Sequence, residues 1–212
     1  MIASIESLRS GPAATAIRAG RIVAILRRVE PRDRLLDVVE KLIEDGIRVV
    51  EVTLDGASAE EDLAAVVAAV GERAVVGAGT VRTDEHVRAA VRAHAAFGVA
   101  PVFDPAVTAL ALGSALPFVP GAATPTEADA AWRAGATFVK LFPASSLGPT
   151  FVRELRGPLP EIETIVTGGV DGRNATAFLD AGATAVGIGS ALARMHRAER
   201  RDLVARTAAA RR

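Results

Sequence analysis

Of the 25 lysines and arginines in this chain only two are lysines, Lys41 and Lys140. Lys41 falls in an amphipathic helical stretch, where a surface cation is ordinary. Lys140 falls in Ala136-Thr137-Phe138-Val139-Lys140-Leu141-Phe142-Pro143, an apolar run that reads as a buried strand. An ammonium group there is costly unless something compensates it. Arginine stays protonated and cannot act as an amine nucleophile. A desolvated lysine can, because burial lowers a lysine pKa and frees the lone pair. Lys140 therefore points to amine chemistry, and a packed stem with its head snorkelling to solvent is the ordinary alternative. Glu51 is the second costly residue, set within Val-Val-Glu-Val-Thr-Leu at 49–54. Beside an amine, a carboxyl group is an ion-pair partner or a proton shuttle. Its ordinary alternative is a carboxylate satisfied by Arg27 or Lys140.

Such groups need elements that bring them together, and the chain supplies a repeating pattern. Short β-branched apolar runs at 21–26, 47–53, 74–78, 96–100, 116–119, around 140, 162–167 and 184–188 read as strands. Amphipathic stretches follow at 31–45, 59–70, 84–94, 126–134, 173–181 and 191–208, with Pro31 as a first-turn proline. A short helix opens at Asp104-Pro105, and another starts near Gly148-Pro149. A leading helix is expected over 1–19, interrupted near Gly11-Pro12. The segments 45–51, 134–140 and 181–187 share a pattern in which a helix ends on glycine and a strand begins at once. Strands apolar on both faces belong in a helix-covered parallel sheet. Eight such units without a linker predict a single α/β domain over 1–212. Its form is a (β/α)₈ TIM barrel over 20–212, behind the leading helix. An open doubly wound sheet is the second choice. Gly77-Ala78-Gly79-Thr80 is a weak nucleotide loop for it, since the third glycine position is Arg82.

A (β/α)₈ barrel keeps its chemistry at the carboxyl ends of the strands. Arg27 ends the first strand. Glu51 and Thr53, two apart, share a face of the second, with Val50 and Val52 turned to the helices. Thr80 follows the third. Lys140 shares a face of the sixth with Phe138 and Phe142. Thr167-Gly168-Gly169 ends the seventh and Gly187-Ile188-Gly189-Ser190 the eighth. Glycine lets backbone N–H groups approach a phosphate, and the loops after strands seven and eight are this architecture's usual phosphate site. The alternative is that these glycines only make tight turns.

Composition narrows the classes. Net charge is zero, which leaves no electrostatic footprint for nucleic acid or an acidic membrane. There is no cysteine, hence no disulfide and no thiolate nucleophile or metal ligand. His86, His94 and His196 form no metal-ligand spacing, so no metal and no cofactor is expected. No signal peptide is read in the first ten residues and no membrane-length apolar run elsewhere. A cytoplasmic protein is the expectation.

In order along the chain stand Ala24-Ile25-Leu26-Arg27, Val50-Glu51-Val52-Thr53-Leu54 and Gly77-Ala78-Gly79-Thr80-Val81. Pro120-Gly121, Val139-Lys140-Leu141-Phe142-Pro143-Ala144, Thr167-Gly168-Gly169-Val170 and Gly187-Ile188-Gly189-Ser190 follow. Over roughly residues 20–192 this set resembles the class I 2-keto-3-deoxy-6-phosphogluconate / 6-phosphogalactonate aldolase family. The resemblance implies a metal-independent lyase that cleaves a phosphorylated 2-oxo sugar acid to pyruvate and glyceraldehyde 3-phosphate. It implies Lys140 as the Schiff-base lysine and Glu51 as the general acid/base. It implies Arg27, Thr53, Thr80, Pro120, Phe142 and Thr167 around the 2-oxo acid, with Gly168, Gly169, Gly189 and Ser190 at the phosphate. A homotrimer is implied too. Asp55 stands where some members carry arginine, which leaves Arg27 alone for the substrate carboxylate. Ala100-Pro101 stands where many carry Ser-Pro, and 145–149 is closer to the phosphogalactonate branch. The readings to separate from this one are a 4-hydroxy-2-oxoglutarate aldolase, a phosphate-binding barrel isomerase or transferase, and a non-catalytic trimeric scaffold.

Overall fold

The computed structural model describes residues 4–210, so the first residues of the expected leading helix lie outside the described part. That helix is two, α1 (Ile5–Ser10) and α2 (Pro12–Gly20), broken at Gly11. Then come β1 (Ile22–Leu26), α3 (Arg32–Glu44), β2 (Val49–Thr53), α4 (Ala59–Val70), β3 (Val75–Gly79), α5 (Asp84–Arg92), β4 (Gly98–Val99) and α6 (Pro105–Gly113). The second half holds β5 (Phe118–Val119), β6 (Gly121–Ala122), α7 (Pro125–Arg133), β7 (Val139–Leu141), α8 (Ala144–Arg156), β8 (Thr164–Thr167), α9 (Ala175–Asp180), β9 (Ala185–Ile188), α10 (Ser190–Arg194) and α11 (Arg197–Ala209).

Every strand pairing is parallel, in the order β5-β4-β3-β2-β1-β9-β8-β7-β6. β5 falls in the expected fifth strand, 116–119, whereas β6 lies beyond it, past Pro120. Proline has no N–H to give a ladder, but the Pro120 carbonyl still accepts from the Lys140 N–H at 2.8 Å. The first strand lies beside the last, and the sheet's two ends meet at Pro120. The sheet is therefore a nearly closed barrel and not an open doubly wound one.

The period-two alternation of the strands sorts the core into two layers. Val50, Val52, Val139, Leu141 and Val166 face outward and pack with helix residues such as Leu35, Leu63 and Phe178. Val23, Val49, Phe97, Val99, Val119, Phe138 and Ile165 face inward. Ala13, Ala14 and Ile17 of α2 join that inner cluster, so α2 plugs the amino end of the barrel. Each large buried aliphatic side chain contributes about 1.5–3 kcal/mol. The inner faces of β2 and β7 continue upward from Val49 and Phe138 to Glu51 and Lys140, which puts both polar groups at the open carboxyl end.

Three expectations are corrected and one is extended. The strands begin one to three residues later than their apolar runs, because the first residues leave the helix turns before pairing. Pro31 is the N-cap of α3, in extended backbone, and not a first-turn residue. The helix expected near Gly148-Pro149 does begin there, after Gly148 leaves the helix at φ 72° and ψ 168°, and an additional helical turn from Ala144 precedes it within α8. The last helix is two helices, parted at Met195-His196. There the Glu199 carboxylate accepts from the His196 N–H at 2.7 Å, and Arg200 donates to the Met195 carbonyl at 2.6 Å. Those bonds satisfy a helix start that runs of alanine and arginine do not announce.

Candidate active site

Lys140 sits at the middle of β7, paired in register with Gly121 on one side and Ile165 on the other. It is 6% exposed, and its ammonium lies over the Phe142 ring, 5.5 Å from the centroid. Glu51, on β2 between Ile25 of β1 and Gly77 of β3, is 2% exposed. Its Oε1 is buried with no hydrogen-bond partner. Burial pushes the Glu51 carboxyl above its ordinary value. The positive charges of Lys140 and then Arg27 oppose that rise without cancelling it, and Asp55 reinforces it. A buried carboxyl group of raised pKa, near a lysine and short of a partner, can give and take a proton at a bound ligand.

β3 makes room for it. A Cβ on Gly79 would overlap the Glu51 carboxylate. The Gly77/Gly79 pair is therefore explained by packing across the barrel and not by a nucleotide. Thr80, which follows, stands at φ 60°, a rare conformation for a β-branched residue and one found at sites that hold strain.

Arg27, just past β1, donates through Nη1 to Asp55 at 2.5 Å and through Nη2 to Thr80 Oγ1 at 3.1 Å. Arg28 Nε stands 3.5 Å from the same Asp55 oxygen. Partial burial pushes the Asp55 carboxyl up, but the Thr53 hydroxyl and the two guanidinium groups outweigh it and hold the carboxyl below its ordinary range. Asp55 is thus the bracket that fixes Arg27 across the mouth.

A pocket of about 360 Å³ opens above Lys140. Its wall joins Lys140, Arg27, Phe142 and Thr167 to Gly168, Gly169, Gly189 and Ser190, the two glycine loops expected at a phosphate. Gly168 and Gly169 stand at φ 89° and 81°, where a side chain is strained. Their carbonyls are taken by the Ser145 N–H at 2.8 Å and by Asn174 Nδ2 at 2.9 Å, which braces the loop. Thr167 Oγ1 is buried without a hydrogen-bond partner. α10, after the second loop, is only five residues long, so the loop amides outrank any helix dipole here.

Glu51, Thr53, Thr80 and Pro120 do not line that pocket. Thr53 donates to the Leu26 carbonyl at 3.4 Å, Thr80 braces Arg27, and Pro120 holds the backbone of Lys140. Two charged residues of the wall, Asp171 and Arg194, escaped the sequence reading. For Arg194 the sequence offered no signal, since an exposed arginine is ordinary in an arginine-rich chain. Among the described residues, no helix is long and apolar enough to cross a membrane.

A lysine amine and a buried carboxyl group of raised pKa at the mouth of a parallel barrel, beside a glycine-lined pocket, fit the class of barrel lyases that work on small phosphorylated acids. Residues 14–208 match the model of the "KDPG and KHG aldolase" family, and the chain belongs to that family. It is 38% identical over 174 residues to the 2-dehydro-3-deoxy-6-phosphogalactonate aldolase of Escherichia coli, covering 82% of this chain and 84% of that one. The solved structure described as native KDPGal superposes with a TM-score of 0.80 at 35% identity, over 89% of this chain and 93% of the other. A cube-shaped cage designed by fusing symmetric oligomeric domains matches with a TM-score of 0.80 at 35% identity. That match covers 90% of this chain and 71% of the cage chain. The protein is a carbon–carbon lyase of the aldolase kind.

Proposed function

We propose that this chain cleaves a 2-keto-3-deoxy-6-phospho sugar acid, of the gluconate or galactonate series, to pyruvate and glyceraldehyde 3-phosphate through a Schiff base on Lys140. The observation that carries the reading is the juxtaposition of Lys140 with a buried, upward-shifted Glu51 beside the glycine-lined pocket. The neutral amine attacks the C2 carbonyl, and Glu51 relays protons as the carbinolamine loses water. The iminium then accepts the electron pair of the breaking C3–C4 bond while Glu51 takes the proton of the C4 hydroxyl. Glyceraldehyde 3-phosphate leaves, the pyruvate enamine gains a proton at C3, and water releases pyruvate from Lys140. Arg27, fixed by Asp55 and Thr80, faces the substrate carboxylate with donors still free. Thr167, with an unpaired hydroxyl, and Phe142 flank the 2-oxo acid, with Thr53 and Pro120 behind them. The amides of Gly168, Gly169, Gly189 and Ser190 receive the phosphate.

Borohydride reduction in the presence of pyruvate, followed by peptide mass analysis, tests the nucleophile. The expected result is one reduced pyruvate adduct, on Lys140. Lys140→Arg should fold and lose turnover by more than about a thousandfold, because the covalent route is gone. An unmodified Lys140, or an active arginine variant, would overturn the mechanism.

A homotrimer belongs to the same reading. It is supported by the family resemblance and by the symmetric oligomers from which the matching cage was built. Ile5, Val91 and Val102, all exposed apolar side chains, are available for contacts between copies. Light scattering should give three times the 21.9 kDa chain mass, and a single-chain mass would refute the assignment. Phosphorylated sugar acids are charged metabolites held within cells, which makes the cytoplasm the expected compartment.

A further inference from the structure

Three side-chain cations line the pocket: Lys140, Arg27 and Arg194. Two have tasks. Arg27 is bracketed by Asp55 and Thr80, and Lys140 lies over Phe142. Arg194, the last residue of α10, forms no ion pair or hydrogen bond among the described residues. It is not short of carboxylates nearby, because Asp171, Glu199 and Asp202 line the adjoining groove with it. Each of those is taken by another group. Asp171 accepts from the Arg173 guanidinium and from the Arg173 N–H, both at 2.8 Å. Asp202 accepts from Arg206 at 2.7 Å and Glu199 from the His196 N–H at 2.7 Å. Arg173 and Arg206 are consumed in this way, and Arg194 is left exposed where the pocket opens.

The electrostatic demand at that end is large. A phosphate monoester carries close to two negative charges near neutral pH, whereas loop amides supply only partial ones. The chain's net charge is zero, so the overall charge supplies no excess of cations and those placed at the pocket matter most. A planar guanidinium offers paired donors that match two phosphate oxygens.

We propose that Arg194 is a specificity-determining residue, the cation that pairs with the substrate phosphate and makes this chain prefer a phosphorylated 2-oxo acid to its unphosphorylated counterpart. The proposal rests on the phosphate reading of the Gly168-Gly169 and Gly189-Ser190 loops. It is tested by measuring KM and kcat for a 2-keto-3-deoxy-6-phospho sugar acid and for the same acid without phosphate. Arg194→Ala should raise KM for the phosphorylated acid about ten- to a hundredfold, as expected for losing a hydrogen-bonded charge. The preference over the unphosphorylated acid should narrow by a similar factor. Arg194→Lys, which keeps the charge but not the fork, should recover part of it. Arg173→Ala, a neighbour already paired with Asp171, should leave the preference in place. A preference undiminished in Arg194→Ala, or equal losses on both substrates, would overturn the role of Arg194 and leave the aldolase reading standing. If the wild-type chain cleaves both acids equally well, the phosphate reading fails and this assignment falls with it. Cleavage of neither, with no adduct on Lys140, would refute the aldolase reading itself.

Discussion

Glu51 is the proton shuttle of the proposed mechanism, and its burial has a measurable signature. An oxygen buried without a partner costs roughly 1–3 kcal/mol, and Glu51 Oε1 is such an atom. Burial raises the carboxyl pKa from an ordinary value near 4.5, and the opposing charges of Lys140 and Arg27 do not bring it back. The folded chain therefore holds this proton more tightly than the unfolded chain does. Its contribution to stability is fully present below the unfolded pKa and is lost as pH rises through the higher folded one. Glu51→Gln has no proton to lose. Urea unfolding of both chains over a pH series should show the glutamine variant gaining on the wild type as pH rises above about 4.5. A constant difference, or a trend in the opposite direction, would refute the upward shift. Turnover of the variant should meanwhile fall about a hundred- to ten-thousandfold, the usual contribution of a general acid/base. Glu51 and Lys140 were both legible in the sequence, and for one reason: each is a charge in an apolar strand, an expense that packing alone does not explain. Arg194 was not, because an exposed arginine in an arginine-rich chain carries no such mark. Only its neighbours' pairings single it out.

At the scale of elements, period and punctuation carried most of the fold. Strand and helix order could be read from alternation of apolar runs with amphipathic ones, and α4 falls at its expected bounds. Most of what could not be read depends on contacts between distant segments. The pairing of β6 past Pro120 and the helical turn from Ala144 are settled by hydrogen bonds from Lys140 and to Gly168, whereas the break before α11 is capped locally by Glu199 and Arg200. Gly79 is the clearest case. In the sequence it belonged to a weak Gly-x-Gly. In the barrel it is the space into which Glu51 fits, with Thr53 paired to it in register. Gly79→Ala should therefore act as a displacement of Glu51. Overpacking costs about 1–3 kcal/mol, and shifting a reacting group by an ångström costs about a hundredfold in rate. Urea unfolding and steady-state kinetics on the same sample should show both effects. A variant that loses stability but keeps full turnover would show that Gly79 does not position Glu51.

At the scale of the whole molecule, the barrel is closed from below by α2 and held at its last helix by charge. α11 buries little of its own, with Leu203 and Thr207 its buried residues. Beside Leu203 in the core and the Arg206 bond to the Gly172 carbonyl at 2.9 Å, its main polar attachment is Asp45 at the end of α3, whose side chain is 1% exposed. Arg200 Nε reaches it at 2.6 Å, Arg197 Nε at 3.1 Å and Arg201 Nε at 3.3 Å. Three cations on one face of the first turn of α11, at i, i+3 and i+4, thus converge on one buried carboxylate from another part of the chain. Breaking a buried pair by removing one partner costs about 3–5 kcal/mol. Arg197 and Arg201 are more than half exposed and solvent can recover them, which moves the expected cost of Asp45→Ala to about 3 kcal/mol. The loss should be local before it is global, because α11 has so little apolar anchorage and strands β1 to β9 do not depend on it for pairing. Trypsin should then cut at the arginines of α11 in Asp45→Ala under conditions where the wild-type helix survives, with the remaining barrel initially intact. Asp45→Asn, which keeps an acceptor but not the charge, should fall between the two. If all three proteins are cut at the same rate and unfold together in urea, α11 is held by its apolar face, and the arginine cluster is surface decoration.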